Sequence, residues 1–367
     1  MIVDSHAHVF ENWHGLCGHP NKDIHLKYIQ KNLTRPAARV FRLRDGASIE
    51  SHLLFQDGDN TWRGLREGIH FRVGTYGRLE FTIDGEDYFI QYYPVNMSVL
   101  QSPPELMLAQ MVYTGVDHCI LQAGPNYGMV NDINAYAQRA YPDKFTGLFG
   151  VDDAMAFESK WFFEVERAYH QLQLRGLYYS LDSFARYGFE WSFTDSRMDL
   201  FWEKIASLHI PVFIELNASP SYDIKGYIAN IERLNRLLRR FSDMRWLIVM
   251  GPPVGFFAAN GKWEFPDTVD KVYRRENVQL EIMFPITWGW HWEYPYPEAQ
   301  SLIRDLRDKY GAGKLIWGSD MPNVERFCTY RQCLNYVRRH CDFLTPDEKE
   351  MILSKNIIEL CEIKIPD

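Results

Sequence analysis

Ile210-Pro211-Val212-Phe213-Ile214-Glu215 is a short apolar run ending in a carboxylate. Tyr227 to Phe241 follows with helical patterning, and Trp246-Leu247-Ile248-Val249-Met250 is a second apolar run. A strand that is apolar on both faces is covered on both faces, as in a parallel sheet sheathed by helices. The same unit recurs in both directions. Upstream come a helix from Met198 to Leu208, a strand from Arg175 to Ser180, a helix over 159–173, a strand from Phe145 to Val151, and a helix from Asn131 to Tyr141 closed by Pro142. Before these, Pro103-Pro104-Glu105 opens a helix through Tyr113 with Gly115 as its C-cap, leading to the strand His118-Cys119-Ile120-Leu121-Gln122. Downstream, Thr268 to Arg275 leads to Val278-Gln279-Leu280-Glu281-Ile282, and Pro297 to Tyr310 leads to Lys314-Leu315-Ile316-Trp317-Gly318.

With the apolar start of the chain as strand 1, this makes eight strands separated by helices. The pattern predicts an α/β fold, a (β/α)8 TIM-type barrel, formed by residues 1–10 and 99–367. Residues 11–98 break the rhythm. They begin polar and irregular, then alternate in period two around Asp84-Gly85, in Leu79-Glu80-Phe81-Thr82-Ile83 and Tyr88-Phe89-Ile90-Gln91-Tyr92. This reads as an insertion subdomain on the first βα loop containing a β-hairpin or small meander.

Composition narrows the function classes. The 367 residues carry a formal charge of −8 with no basic block, which argues against nucleic acid or an anionic membrane surface as partner and points to a small-molecule substrate. No apolar stretch reaches membrane-spanning length, and Asp4, His6 and His8 stand where a signal peptide would be apolar, so a cytoplasmic protein is expected. Six cysteines without a C-x-x-C pattern suggest reduced thiols. The aromatic fraction of 15% fits an extensive core and an aromatic pocket or interface, compatible with a homo-oligomer or a hetero-oligomer.

A TIM barrel carries its active site at the carboxyl ends of its strands. There the sequence places His6 and His8 after strand 1, Glu215 with Asn217 after strand 5, Gly251-Pro252-Pro253 after strand 6 and Asp320 after strand 8. Side chains two apart on a strand point the same way, so His6 and His8 can converge on one cation. Two imidazoles with one or two carboxylates suit a divalent metal, zinc first, with iron and manganese accepting the same donors.

Asp4-Ser5-His6-Ala7-His8, paired with Trp317-Gly318-Ser319-Asp320-Met321-Pro322, resembles the amidohydrolase-related branch of the amidohydrolase superfamily. That group includes metal-dependent decarboxylases of aromatic or aminomuconate acids as well as hydrolases. The resemblance covers strand 1 and most of the chain from about residue 103. It implies that His6 and His8 are metal ligands and that Asp320 both ligates and handles a proton. The implied activity is hydrolysis or non-oxidative decarboxylation of a small carboxylated or ring-containing metabolite.

Two positions depart from the family's pattern, which has histidines closing strands 5 and 6. Glu215 stands at the first, where it could serve as ligand and catalytic carboxylate or merely pair with a nearby cation. Gly251 stands at the second and offers no side chain, so a proton step there falls to another group. His291, in Thr287-Trp288-Gly289-Trp290-His291-Trp292, is the candidate, able to reach over the mouth or to be packed locally. The departures also admit an altered subunit of a hetero-oligomeric oxygenase resembling the two-component 2-aminoisobutyrate hydroxylases, with the main chemistry on a paralogous barrel. Gln122, Asn126, Tyr127, Asp152, Asp153, Tyr178, Tyr179 and Asn323 are further strand-end candidates for lining a pocket. His14, Cys17, His19 and His25 fit no closed zinc site by spacing, and Arg78 could face a substrate carboxylate from above or stay solvated.

Overall fold

In chain order the strands are β1 (Val3–Ala7), then β2 (Val40–Arg42), β3 (Ser48–Ile49), β4 (Arg72–Val73), β5 (Arg78–Ile83) and β6 (Glu86–Gln91) of the inserted region. They continue with β7 (His118–Leu121), β8 (Phe145–Gly147), β9 (Leu177–Ser180), β10 (Val212–Glu215), β11 (Trp246–Ile248), the small pair β12 (Ala258–Ala259) and β13 (Lys262–Trp263), β14 (Val278–Ile282) and β15 (Leu315–Trp317). The structure is a computed structural model describing residues 1–33, 39–49, 51–56, 58–59 and 61–363.

Eight of these strands run parallel in two arcs, β1-β7-β8 and β9-β10-β11-β14-β15. Hydrogen bonds close both seams. Phe149 N donates to Gly176 O and Tyr178 N to Phe149 O, each at 2.9 Å, while Asp320 N donates to His6 O and His8 N to Met321 O, each at 2.8 Å. Parallel bridges Phe149–Leu177 and Ala7–Met321 mark the same seams. The result is the eight-stranded barrel that the strand count predicts, with no open edge.

Burial on two faces explains the unbroken apolar runs. In β11, Trp246 and Ile248 pack with the surrounding helices, whereas Leu247 joins Val3, Ile120, Phe213 and Ile316 in a second cluster. All of these side chains are buried, so alternation changes the neighbour and not the polarity. The helix Ile224–Arg240 starts earlier than the apolar pattern from Tyr227 suggests, because Asp223 caps it by accepting from Gly226 N at 2.8 Å. Gly115, at φ 82°, ends the helix Pro104–Thr114 as expected. The helix expected over 159–173 is α-helical only over Ser159–Glu166 and continues as a π-turn over Arg167–Gln171.

The inserted region contains the expected hairpin, β5 against β6, turning through Asp84 at φ 51° and Gly85 at φ 80°. It also contains more than was expected. The hairpin is the centre of a five-stranded antiparallel sheet in the order β3-β2-β6-β5-β4, and a helix Lys22–Asn32 precedes it. The added strands are two or three residues long, too short to show a period. Asn126 Nδ2 donates to Tyr92 Oη at 2.8 Å, and Tyr28 Oη donates to Asp152 Oδ2 at 2.8 Å, tying the region to barrel loops. The six cysteines are buried and free. Among the described residues no helix is long and apolar enough to cross a membrane.

Candidate metal centre

His6 lies in β1 and His8 one residue past its end, while Asp320 follows β15, so the seam between the first and last barrel strands brings the three together. His6 Nε2 is 3.1 Å from His8 Nε2, and Asp320 Oδ1 is 3.0 Å from His8 Nε2 and 3.8 Å from His6 Nε2. Asp320 has φ 62°, a left-handed conformation that an aspartate adopts at modest cost. Its amide is held by His6 O, which turns the carboxylate toward the imidazoles.

The tautomers follow from the partners. His6 Nδ1 is 3.0 Å from Glu281 Oε2, and His8 Nδ1 is 3.3 Å from the carbonyl of Gln122. Both partners accept, so both Nδ1 atoms carry a proton, and with both imidazoles neutral both Nε2 atoms present lone pairs. Two lone pairs and a carboxylate oxygen facing one another, all three residues buried, require a positive charge between them. The donor set therefore fits a divalent cation, with a carboxylate behind one imidazole in the manner of metal-binding histidines. Burial works against a charge on His6, but Glu281, then Asp320 and Asp4, outweigh it and lift its pKa to about 9 in the metal-free protein. His8 is pushed the other way, chiefly by burial. Burial alone would raise the Asp320 carboxyl, yet the hydrogen bond to His8 and the charges of His6, His8 and Arg326 hold it below the usual range.

Surrounding groups fix these side chains. Glu281, fully buried in β14, also accepts from Ser5 Oγ at 2.7 Å and from Met250 N at 3.1 Å. Asp4 accepts from Ser319 N at 2.9 Å and Tyr330 Oη at 2.7 Å, joining β1 to the turn that carries Asp320, and burial raises its pKa to about 6. Tyr127 stacks on His8 with ring centroids 4.0 Å apart, and its hydroxyl lies 3.5 Å from Asp320 Oδ1. Asn323 Nδ2 donates to Tyr127 Oη at 2.8 Å. Glu281 was missed by sequence reasoning, although its signal was present as a charge inside the apolar run Leu280-Glu281-Ile282.

The other expected site residues fare differently. Glu215 lines the same cavity but stands outside the three-residue cluster. Its Oε2 accepts from Tyr178 Oη and Ser180 Oγ, each at 2.9 Å. His291 is exposed, its ring against Trp288 and Trp290, and it lines a separate groove with Trp292 and Pro297. The neighbouring Trp290 lines the mouth cavity, whereas His291 faces the other groove. At Gly251, φ is 63° and a Cβ would lie 2.4 Å from the Glu281 carbonyl oxygen, so this backbone has no room for the histidine of the resembled pattern.

Asp152 forms a buried ion pair with Arg186, and Tyr179 Oη donates to the Asp153 carbonyl at 2.9 Å. Neither pair lies at the cluster. Arg78 stacks on Phe89, its guanidinium 4.4 Å from the ring centroid. Among the described residues no metal-competent group forms around Cys17, His19 and His25.

Above the cluster lies a cavity of about 1220 Å³ bounded by the barrel mouth and the inserted sheet. Its walls include Phe41, Tyr92, Tyr127, Tyr178 and Trp290. A family model described as amidohydrolase matches residues 3–361. The chain belongs to the amidohydrolase family.

Solved structures superpose on it at low identity. A probable 2-pyrone-4,6-dicarboxylic acid hydrolase from Acinetobacter baumannii, with citric acid bound, is 19% identical at a TM-score of 0.53, covering 71% of this chain and 90% of its own. An Agrobacterium tumefaciens protein in its apo form is 12% identical at a TM-score of 0.54, covering 99% and 96%. An uncharacterised TIM-barrel protein from Bordetella bronchiseptica is 21% identical at a TM-score of 0.50, covering 70% and 81%. No curated protein matches the sequence.

Proposed function

We propose that this amidohydrolase-family chain is a metal-dependent hydrolase or carboxy-lyase acting on a small carboxylated, ring-containing metabolite. The observation that carries the reading is the convergence of two imidazole lone pairs and the Asp320 carboxylate at one wall of an aromatic-lined cavity. His6, His8 and Asp320 would hold the cation, zinc first and manganese or iron as alternatives. A divalent cation there supplies a Lewis acid that acidifies water or polarises a substrate oxygen.

The chain's own residues supply the rest. Asp320, kept ionised, is able to take a proton at one carboxylate oxygen and return it, with Tyr127 and Asn323 orienting it. Glu215 is the second carboxylate facing the cavity, one of its oxygens pinned by two hydroxyls, and is the acid–base partner in place of a strand-6 histidine. The aromatic walls would flank a flat ring. The A. baumannii hydrolase, named for a ring dicarboxylic acid, is consistent with such a substrate.

Elemental analysis of purified protein should find about one equivalent of divalent metal, and a panel of aromatic and pyrone carboxylic acids should include one that is turned over, with activity lost in Asp320→Asn. A metal-free wild type inert on the whole panel overturns the reading.

The closed space at Gly251 favours a second reading, in which the chain works beside a paralogous barrel subunit of an oxygenase that retains the missing histidine. Co-purification with such a barrel supports it, and full turnover by this chain alone defeats it.

A further inference from the structure

In the mouth cavity Asp320 faces the imidazoles and Glu215 accepts from two hydroxyls, and the lining includes two arginines, Arg39 and Arg326. Arg39 is exposed, whereas Arg326 is held at the cavity wall. It ends the short turn Asn323–Arg326 that follows Asp320, and it lines the cavity half-buried. Its Nε donates to Asn323 O at 3.3 Å, and Asn323 in turn donates to Tyr127 Oη, so the arginine is rooted among the groups that hold Asp320. Its guanidinium lies 6.0 Å from the Tyr92 ring centroid and 5.1 Å from that of Phe327, between the inserted sheet and the barrel mouth. Among the described residues its two terminal nitrogens meet no carboxylate and no other acceptor.

A guanidinium with its terminal fork uncommitted, held against aromatic rings at the wall of a cavity, is built to receive a planar anion in two parallel hydrogen bonds. Arg326 lines the same cavity as His6, His8 and Asp320, so a substrate spanning the two places would present one anionic group to the His6–His8–Asp320 centre and another to Arg326. We infer that Arg326 is a specificity-determining residue that recognises a second anionic group of the substrate, selecting ring diacids over monoacids. This rests on the function proposed above.

The test uses zinc-loaded full-length protein and binding, not turnover, with benzoate and benzene-1,3-dicarboxylate as probes read by calorimetry. Wild type should bind the diacid about tenfold or more tighter than benzoate, as a charge-assisted bidentate contact implies. Arg326→Gln should reduce diacid affinity to the benzoate level while leaving benzoate affinity and zinc content unchanged, and Arg326→Lys should recover part of the difference. Diacid affinity undiminished in Arg326→Gln, equal losses for both acids, or a wild type that does not discriminate would each overturn the assignment while the metal-site reading stands. Failure of zinc-loaded wild type to bind either acid would overturn the site reading, and this inference with it.

Discussion

Glu281 Oε2 lies 3.0 Å from His6 Nδ1, and this contact decides which nitrogen of His6 faces Asp320. The carboxylate is fully buried and accepts also from Ser5 and the Met250 amide. Replacing it with glutamine keeps the volume but allows the amide to present a donor to His6, which frees the tautomer. Glu281→Gln should weaken metal retention by roughly 10- to 100-fold, the usual effect of losing such a partner. Competition against a chelator measures it; retention equal to wild type would show that the tautomer is set elsewhere.

Gly318 makes this contact sterically accessible. A Cβ there would lie 2.7 Å from Ser5 Oγ, 2.8 Å from Glu281 Oε1 and 2.9 Å from His6 Cβ. Gly318→Ala should cost about 1–3 kcal/mol of stability by overpacking and displace the ligand pair. Gly313→Ala is the control, since nothing lies within 4 Å of its added methyl. Urea unfolding of the two variants should differ clearly, and equal midpoints would refute the packing argument.

Protons and metal compete at His6. With its pKa raised to about 9 by Glu281, Asp320 and Asp4 against burial, the metal-free protein carries a proton on the imidazole pair at neutral pH. Cation binding should release about one proton near pH 7.5, read by calorimetry in buffers of different ionisation enthalpy. The sign for stability follows from the same shift. The folded value lies above the ordinary 6.5, so the contribution is complete below pH 6.5 and is lost as pH rises through about 9. Metal-free protein should lose melting temperature over that interval, and a flat profile would count against the assignment.

Away from the cluster, Arg186 and Asp152 form a fully enclosed ion pair, with Tyr28 of the inserted region donating to Asp152 and lying 4.3 Å beneath the guanidinium. Arg186→Met strands a buried carboxylate and should destabilise by about 3–5 kcal/mol. The double change Arg186→Met with Asp152→Leu should recover much of the loss. Denaturant curves of the single and double variants give the comparison, and a single variant as stable as wild type would mean water reaches the pair.

The barrel was legible because most buried parallel strands leave a short apolar run and the clearest covering helices an amphipathic one, as in Val212–Glu215 and Ile224–Arg240. The hairpin at Asp84-Gly85 was legible for the same local reason. The remainder of the inserted sheet was not, because strands of two residues carry no period and are defined only by their partners.

At the site, the sequence by itself determined the ligand types and their placement at strand ends: His6 and His8 share a face by strand geometry, and Asp320 follows the last apolar run. Only the tertiary structure decided which groups meet. Closure of β1 against the β15 turn brings Asp320 to within 3.0 Å of His8, Glu281 enters behind His6 from a strand 275 residues away, and Glu215 and His291 go to other partners. Spacing along a chain sets the direction of a side chain within its own element, whereas contact between elements depends on register and crossing geometry, which local sequence does not encode.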